Sequence, residues 1–386
     1  MRNKIFILIL FVVLLTGCST SNEIVNKTYD VDVEINDISE AFIPAAEKGV
    51  QSSIGVSGYV RSNIFGTWEL KSVGSGVVYY GKAVLNDGTT IDDITETKER
   101  SDVNYYLYRA ITNYHVVNAA SRDVMTKVYL SKIDLLVDAV VLGKNIYEDL
   151  AVVEFQTSIY IPIISFGDSD KVKTGEIVLA VGNPEGYKYA DSVSLGIISN
   201  AKRYVDVDRD LNNDGRNDWS GACEYLQHDA SINSGNSGGA LINIKGELIG
   251  INTMKLVDTS NTIEGMGFAI PIEEATTYAD KIVNGEDVSR PFLGIQMYEA
   301  SMDYYAKQYG VDPMPGVLIG AVTDNSPASK AGLRVGDVIT RIGNKDVTGV
   351  ASLRYELYKY SAGDVISITY VRNGQTNSAK LTLATQ

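Results

Sequence analysis

Ser237 stands in the stretch QHDASINSGNSGGALIN, residues 227–243, with Gly235, Gly238 and Gly239 around it. A serine hydroxyl attacks a carbonyl only when a base takes its proton and a third group orients that base. Histidine suits the role of base, because its pKa lies near neutrality. The chain has two histidines: His115 in ITNYHVV, and His228, nine residues before Ser237. Asp149, in YEDLAVVEF, heads an alternating apolar run, where a carboxylate can reach a histidine from a loop. His115, Asp149 and Ser237 would then serve as base, orienter and nucleophile of an acyl transfer. A serine among glycines is also an ordinary turn, so the stretch alone leaves that reading and both histidines open.

Side chains so far apart in sequence need a rigid scaffold. Between Ala41 and Pro271 short β-branched runs alternate with Gly, Asn and Asp: SIGVSGYV, KVYLSK, DLAVVEF, EIVLAVG, VSLGIIS, ALIN and ELIGINT. Each reads as a strand, and their succession predicts an all-β-dominated barrel or sandwich rather than βαβ units. PIEEATTYADKIVNG closes this region as a helix, with acidic residues in its first turn and Gly285 at its end. EDVSRP, residues 286–291, reads as a linker, and residues 292–386 as a second, smaller domain with a helix around VASLRYELYKY. Two charged, turn-rich stretches look inserted, one at about residues 79–110 and one from Lys202 to Tyr225; both are expected as surface loops or hairpin extensions.

Composition narrows the function. The formal net charge of −14 disfavours nucleic acid as a partner. At the N-terminus a basic start precedes an apolar run from Ile5 to Leu15 and then Leu15-Thr16-Gly17-Cys18. That run is too short for a membrane span. It resembles a bacterial lipoprotein signal peptide, residues 1–17, cleaved before a lipidated Cys18, with 18–40 as a polar spacer. The resemblance implies export and a lipid anchor on a bacterial membrane. With Cys18 so used, Cys223 has no disulfide partner and is expected to be a buried small hydrophobe.

TNYHVV, EDLAVVEF, AVGNPEG, ASINSGNSGGALIN and GMGFAIP, in that order, resemble the HtrA (Deg) family of trypsin-like serine proteases. FLGI and NSPASKAGLRVGDVI resemble a PDZ domain. The resemblance implies a chymotrypsin-like pair of six-stranded barrels over 41–285, followed by an α+β PDZ domain over 292–386. His115 and Asp149 would come from the first barrel and Ser237 from the second. It further implies an oxyanion hole from the Gly235 and Ser237 amides, Ile232 in the S1 pocket, and peptide carboxylates bound at Leu293, Gly294 and Ile295. Gly238 and Gly239 are expected to admit a substrate backbone. Asn236 stands where zymogens of this class have an aspartate, so activation by a cut N-terminus is not expected. His228 replaces a small hydroxyl residue of the family and is read as structural or surface-facing, since an extended strand of nine residues at about 3.3 Å each separates it from Ser237.

The resemblance implies unfolded or exposed protein substrates, trimeric assembly and no cofactor for catalysis. A competing reading of the whole chain is a non-catalytic or latent peptide-binding, chaperone-like envelope protein. Within the second insert, Asp210, Asn212, Asp214 and Asp218 follow a calcium-loop spacing, with Gly215 at the turn. The twelfth position is Gly221 instead of glutamate, so calcium and a solvated acidic turn both stand as readings.

Overall fold

The computed structural model describes residues 35–62, 66–118, 124–183, 188–210, 219–257, 262–286 and 291–385. The lipobox with Cys18 and the linker core at 287–290 lie outside them, as do Asn212, Asp214 and Asp218.

The described chain opens on a helix, α1 (Ile35–Ser52). This departs from the expectation of an aperiodic spacer to residue 40, whereas the first expected strand run, SIGVSGYV, coincides with the start of the first strand at Ser53. The buried face of α1 is built from small residues: Ala45 is buried, and a side chain on Gly49 would collide with Val181 and Ile242. Small residues let the helix pack closely on the sheet.

Seven strands follow: β1 (Ser53–Arg61), β2 (Trp68–Leu85), β3 (Thr90–Ile91), β4 (Val103–Thr112), β5 (Val124–Leu130), β6 (Leu135–Asn145) and β7 (Leu150–Thr157). They are ordered β1-β5-β6-β7-β4-β2-β3, and β1 also pairs with β2, so six of them close a ring. The short helix α2 (Tyr114–Val117) leaves the end of β4. Next come β8 (Ile177–Gly182), β9 (Ser192–Arg209), β10 (Trp219–His228), β11 (Ala240–Asn243), β12 (Leu248–Val257) and β13 (Thr262–Pro271), which form a second closed barrel. Closure removes the sheet edges that would otherwise pair with other chains. Helix α3 (Ile272–Asn284) ends at Gly285, left-handed at φ 67°. That is the C-cap for which glycine is suited.

Both insertions are hairpin extensions. The first lengthens β2 and β4, and it contributes to the barrel core, since Ile94, Tyr106 and Tyr108 are buried. The second lengthens β9 and β10, which pair as far as Arg209 and Trp219.

The C-terminal region contains β14 (Pro291–Phe292), β15 (Ile295–Glu299), α4 (Asp303–Tyr309), β16 (Val317–Val322), α5 (Pro327–Lys330), β17 (Val338–Ile342), β18 (Lys345–Asp346), α6 (Val350–Tyr358), β19 (Val365–Arg372), β20 (Gln375–Thr382) and β21 (Ala384–Thr385). Strands β15-β16-β17-β19-β20 make its main sheet, with β15 at one edge. Its own core includes Leu293, Ile319, Leu353 and Ile368.

Candidate active site

Each of the three predicted side chains sits where a regular element has just ended. His115 lies in α2, after Asn113 in extended conformation. Asp149 lies just before β7 with φ 55°, a left-handed backbone that aspartate tolerates better than most residues. Ser237 lies in the turns between β10 and β11.

The first barrel joins His115 to Asp149. The carboxylate accepts from His115 Nδ1 at 2.8 Å and from the His115 backbone N–H at 3.0 Å. The Asp149 carbonyl accepts from Asn113 Nδ2 at 2.8 Å and from the Tyr114 N–H at 3.0 Å. With Nδ1–H directed at the carboxylate, Nε2 is the acceptor nitrogen of a neutral ring. The His115 side chain is 50% exposed and that of Asp149 11%, so the pair has an open face and a sheltered one.

The second barrel supplies Thr253, on β12, which sequence reasoning missed. Its hydroxyl donates to Asp149 Oδ2 at 2.7 Å, and its carbonyl accepts from Ser237 Oγ at 3.0 Å. One residue thus touches both Asp149 and Ser237. Thr253 is buried beside Asn252 in the run GINTMKLV; two adjacent polar residues in a core strand were the available signal. Among the described residues no hydrogen bond joins Ser237 to His115; the hydroxyl's single proton is on the Thr253 carbonyl.

The loop that carries Ser237 is clamped by Ser75 of β2. Its N–H donates to the Ser237 carbonyl at 2.8 Å, and its hydroxyl donates to the Gly235 carbonyl at 2.7 Å. The Asn236 N–H donates to the Asn233 carbonyl, closing a turn with Gly235 at its third position and φ 101°. That is the type II arrangement, in which glycine is favoured at this place. Flipping the Ser234–Gly235 peptide would give type I and reverse the Gly235 N–H. The amides of Asn236, Gly238 and Gly239 donate to the carbonyls of Asn233, Asn252 and Asn236. Those of Gly235 and Ser237 donate to no acceptor among the described residues.

Gly238 and Gly239 have a different use from the one expected. A Cβ on Gly238 would lie 2.2 Å from the Ser75 carbonyl oxygen, and one on Gly239 2.2 Å from that of Val181. At these two positions the protein's own strands make the close approach.

Ile232 is 6% exposed and packs in the second barrel's core, its Cγ1 near Gly267. His228 is fully buried, against Gly267; of its two expected placements the structural one holds and the surface one does not. Cys223 is buried, as expected. Its Sγ lies 3.4 Å from Glu148 Oε2. Leu293 is buried, Gly294 has φ 80°, and Ile295 begins the edge strand β15. Of the calcium-loop residues only Asp210 is described, and no group of three or more potential metal ligands occurs among the described residues. No described helix is long and apolar enough to cross a membrane.

Comparison with known proteins matches residues 100–251 to the trypsin-like peptidase domain family and residues 291–383 to the PDZ domain family. The serine protease Do-like HtrA of Lactococcus lactis subsp. cremoris is 32% identical over 385 residues, 96% of this chain and 86% of the relative. The serine protease Do-like HtrB of Bacillus subtilis is 38% identical over 298 residues, 75% of this chain but only 61% of its own length. Among solved structures, the HtrA-type protease AlgW with decapeptide is 25% identical with a TM-score of 0.61, covering 89% of this chain and 98% of that one. The serine endoprotease from Yersinia pestis is 27% identical with a TM-score of 0.54, at 89% and 98% coverage.

Proposed function

The chain belongs to the HtrA family of serine proteases, and from that premise we propose that it hydrolyses peptide bonds with His115, Asp149 and Ser237. The Nδ1 pairing of His115 with Asp149 carries the reading, because it leaves Nε2 as an unprotonated base facing the open side of the cleft. Ser237 turns its hydroxyl from the Thr253 carbonyl to Nε2, gives up its proton and attacks the substrate carbonyl carbon. The negative charge that develops on the carbonyl oxygen falls to the Gly235 and Ser237 amides; that both lack an acceptor among the described residues supports this assignment. The imidazolium, held by Asp149, then protonates the leaving amine, and water repeats the cycle to free the acid. Side chains and backbone amides carry the reaction, without a cofactor.

The substrates we propose are unfolded or exposed proteins of the cell envelope. On the family resemblance we place Ile232, which packs in the barrel core, at the wall of the S1 pocket, favouring small or medium aliphatic side chains at the cleavage position. The edge position of β15 supports peptide addition as an extra strand, with the terminal carboxylate near Leu293, Gly294 and Ile295. Lipidation at Cys18 and trimeric assembly belong to the same proposal and rest on the family resemblance.

The hydroxyl bond from Ser237 to Thr253 favours a second reading, a latent protein that binds peptide until a ligand turns the serine. Casein cleavage by the wild type and by Ser237→Ala separates these. The expected result is cleavage by the wild type alone. Equal cleavage by both removes support for the triad, and cleavage by neither selects the latent or binding protein.

A further inference from the structure

Where the C-terminal region meets the barrels, four carboxyl groups converge from four elements. Glu148 precedes β7, Glu224 lies on β10, Glu274 on α3 and Glu356 on α6. Glu148, Glu224 and Glu356 are each less than a tenth exposed. Glu274 lines a cavity of about 330 Å³ at the seam. Carboxylates as buried as Glu148, Glu224 and Glu356 demand either cations or protons, and half-buried Glu274 feels the charge of Glu148 and Glu224.

Two cations answer part of the demand. Lys202 pairs with Glu224 at 3.1 Å and Lys359 with Glu356 at 3.2 Å. Of the other lysines at the cavity, Lys281 lies over the Tyr278 ring and Lys345 is exposed at the rim. Three tyrosines face the acids: Tyr355 donates to Glu274 across the seam at 2.9 Å, Tyr278 faces Glu148, and Tyr204 faces both Glu224 and Glu356. Burial, reinforced by those carboxylates, pushes all three phenols far above their ordinary range, so they remain donors. Cys223 adds its Sγ on Glu148. Burial first, and then the charge of Glu148, holds the Glu274 carboxyl well above the usual carboxylate range; Glu224 adds to this, while Tyr355 and Lys359 oppose it. Glu273, the next residue on α3, is also raised by its burial.

We propose that this seam is a proton-operated latch, in which a proton on Glu274 keeps α6 docked on the barrels and its loss releases the C-terminal region. Docking then takes up a proton that the open state does not hold. It is strongest below the ordinary carboxylate range and weakens as pH rises through the elevated pKa of Glu274. The platform for α6 is the second inserted hairpin, whose Tyr204 ring lies 5.3 Å from that of Tyr355. The latch also touches both proposed sites. Glu148 immediately precedes Asp149 in its left-handed conformation, and the Val350 N–H at the start of α6 donates to Glu299 on β15. This coupling rests on the catalytic reading given above; the latch itself does not.

Hydrogen exchange of the full-length chain tests the latch without any need for peptidase activity. Amide exchange in α6 is compared between the wild type and Glu274→Gln at each pH, so that the intrinsic pH dependence cancels. The two should match in mild acid. Above it the wild type should exchange progressively faster, approaching about tenfold per pH unit for one linked proton. A ratio that stays constant with pH overturns the proposal. Should Glu274→Gln fail to fold by circular dichroism, Glu224→Gln replaces it. That variant removes a like charge facing Glu274 and should show a smaller rise than the wild type; an unchanged rise overturns the latch equally. Casein cleavage by the same proteins reads only the coupling to Asp149.

Discussion

Around His115 each polar group has somewhere to put its proton, whereas around His228 the ring nitrogens have nowhere. His115 gives Nδ1–H to Asp149, Asp149 accepts from Thr253, and half of the imidazole surface faces solvent. His228 is fully buried, and among the described residues neither ring nitrogen finds a partner at hydrogen-bond geometry, although Asn252 and Ala230 lie nearby. Burial pushes its pKa down to about 4, against the pull of Asp229. The histidine nearer to Ser237 in sequence is therefore the one kept neutral and inaccessible. A base needs one nitrogen held and the other open, and closeness along the chain supplies neither.

The sharpest way to break this contrast is to remove each imidazole in turn. His115→Ala should lower casein turnover by roughly 10⁴-fold or more, the scale on which loss of a triad member is felt. His228→Leu should leave turnover close to that of the wild type. Comparable losses in the two variants, measured on proteins with matching circular dichroism, would mean that His228 takes part and that the division drawn between the two sites is wrong.

The second expectation concerns stability. A histidine held neutral by burial binds fewer protons folded than unfolded, so its contribution is complete above pH 6.5 and lost as pH falls toward about 4. The loss across that window is about 3 kcal/mol in unfolding free energy. Leucine at the same place does not titrate, and apolar replacement of an unsatisfied buried polar group is often tolerated. Urea unfolding at pH 7 and pH 4 should show the wild type losing more stability than His228→Leu by about that amount. Parallel losses would show that the His228 ring is protonated while buried, or that it is solvated.

The same contrast separates what could be read in the sequence from what could not. His115, Asp149 and Ser237 could be singled out because the first two stand at the ends of apolar β-branched runs and the third among glycines. The succession of β-branched runs led only to a barrel or sandwich; the pair of barrels was an implication of the family resemblance. Thr253 was marked only as one of two adjacent polar residues in a core strand, which does not say whom it faces across two barrels. Helix α1 escaped because its apolar spacing, Ile38, Phe42, Ala45, Ala46, Gly49 and Val50, straddles the expected spacer boundary at residue 40. The carboxylates of the seam escaped for a third reason. Scattered from residue 148 to 356, each looks like an ordinary solvated charge until four separate elements bring it inward.

Thr253 gives the smallest of the expected effects and the finest test of how the His115 site works. Its hydroxyl donates to the Asp149 oxygen that also holds His115 Nδ1. A hydrogen bond to a charged group contributes about 1.5–3 kcal/mol, so Thr253→Val should lower kcat by roughly ten- to a hundredfold. KM should change little, because Thr253 acts through Asp149 and does not depend on the substrate. The Ser237 bond goes to the Thr253 backbone carbonyl, which valine retains, so the substitution isolates the hydroxyl. Thr253→Ser restores that hydroxyl and should restore most of kcat. If valine and serine behave alike, the hydroxyl only fills space, and Asp149 is positioned by the first barrel alone, through Asn113, Tyr114 and the His115 backbone.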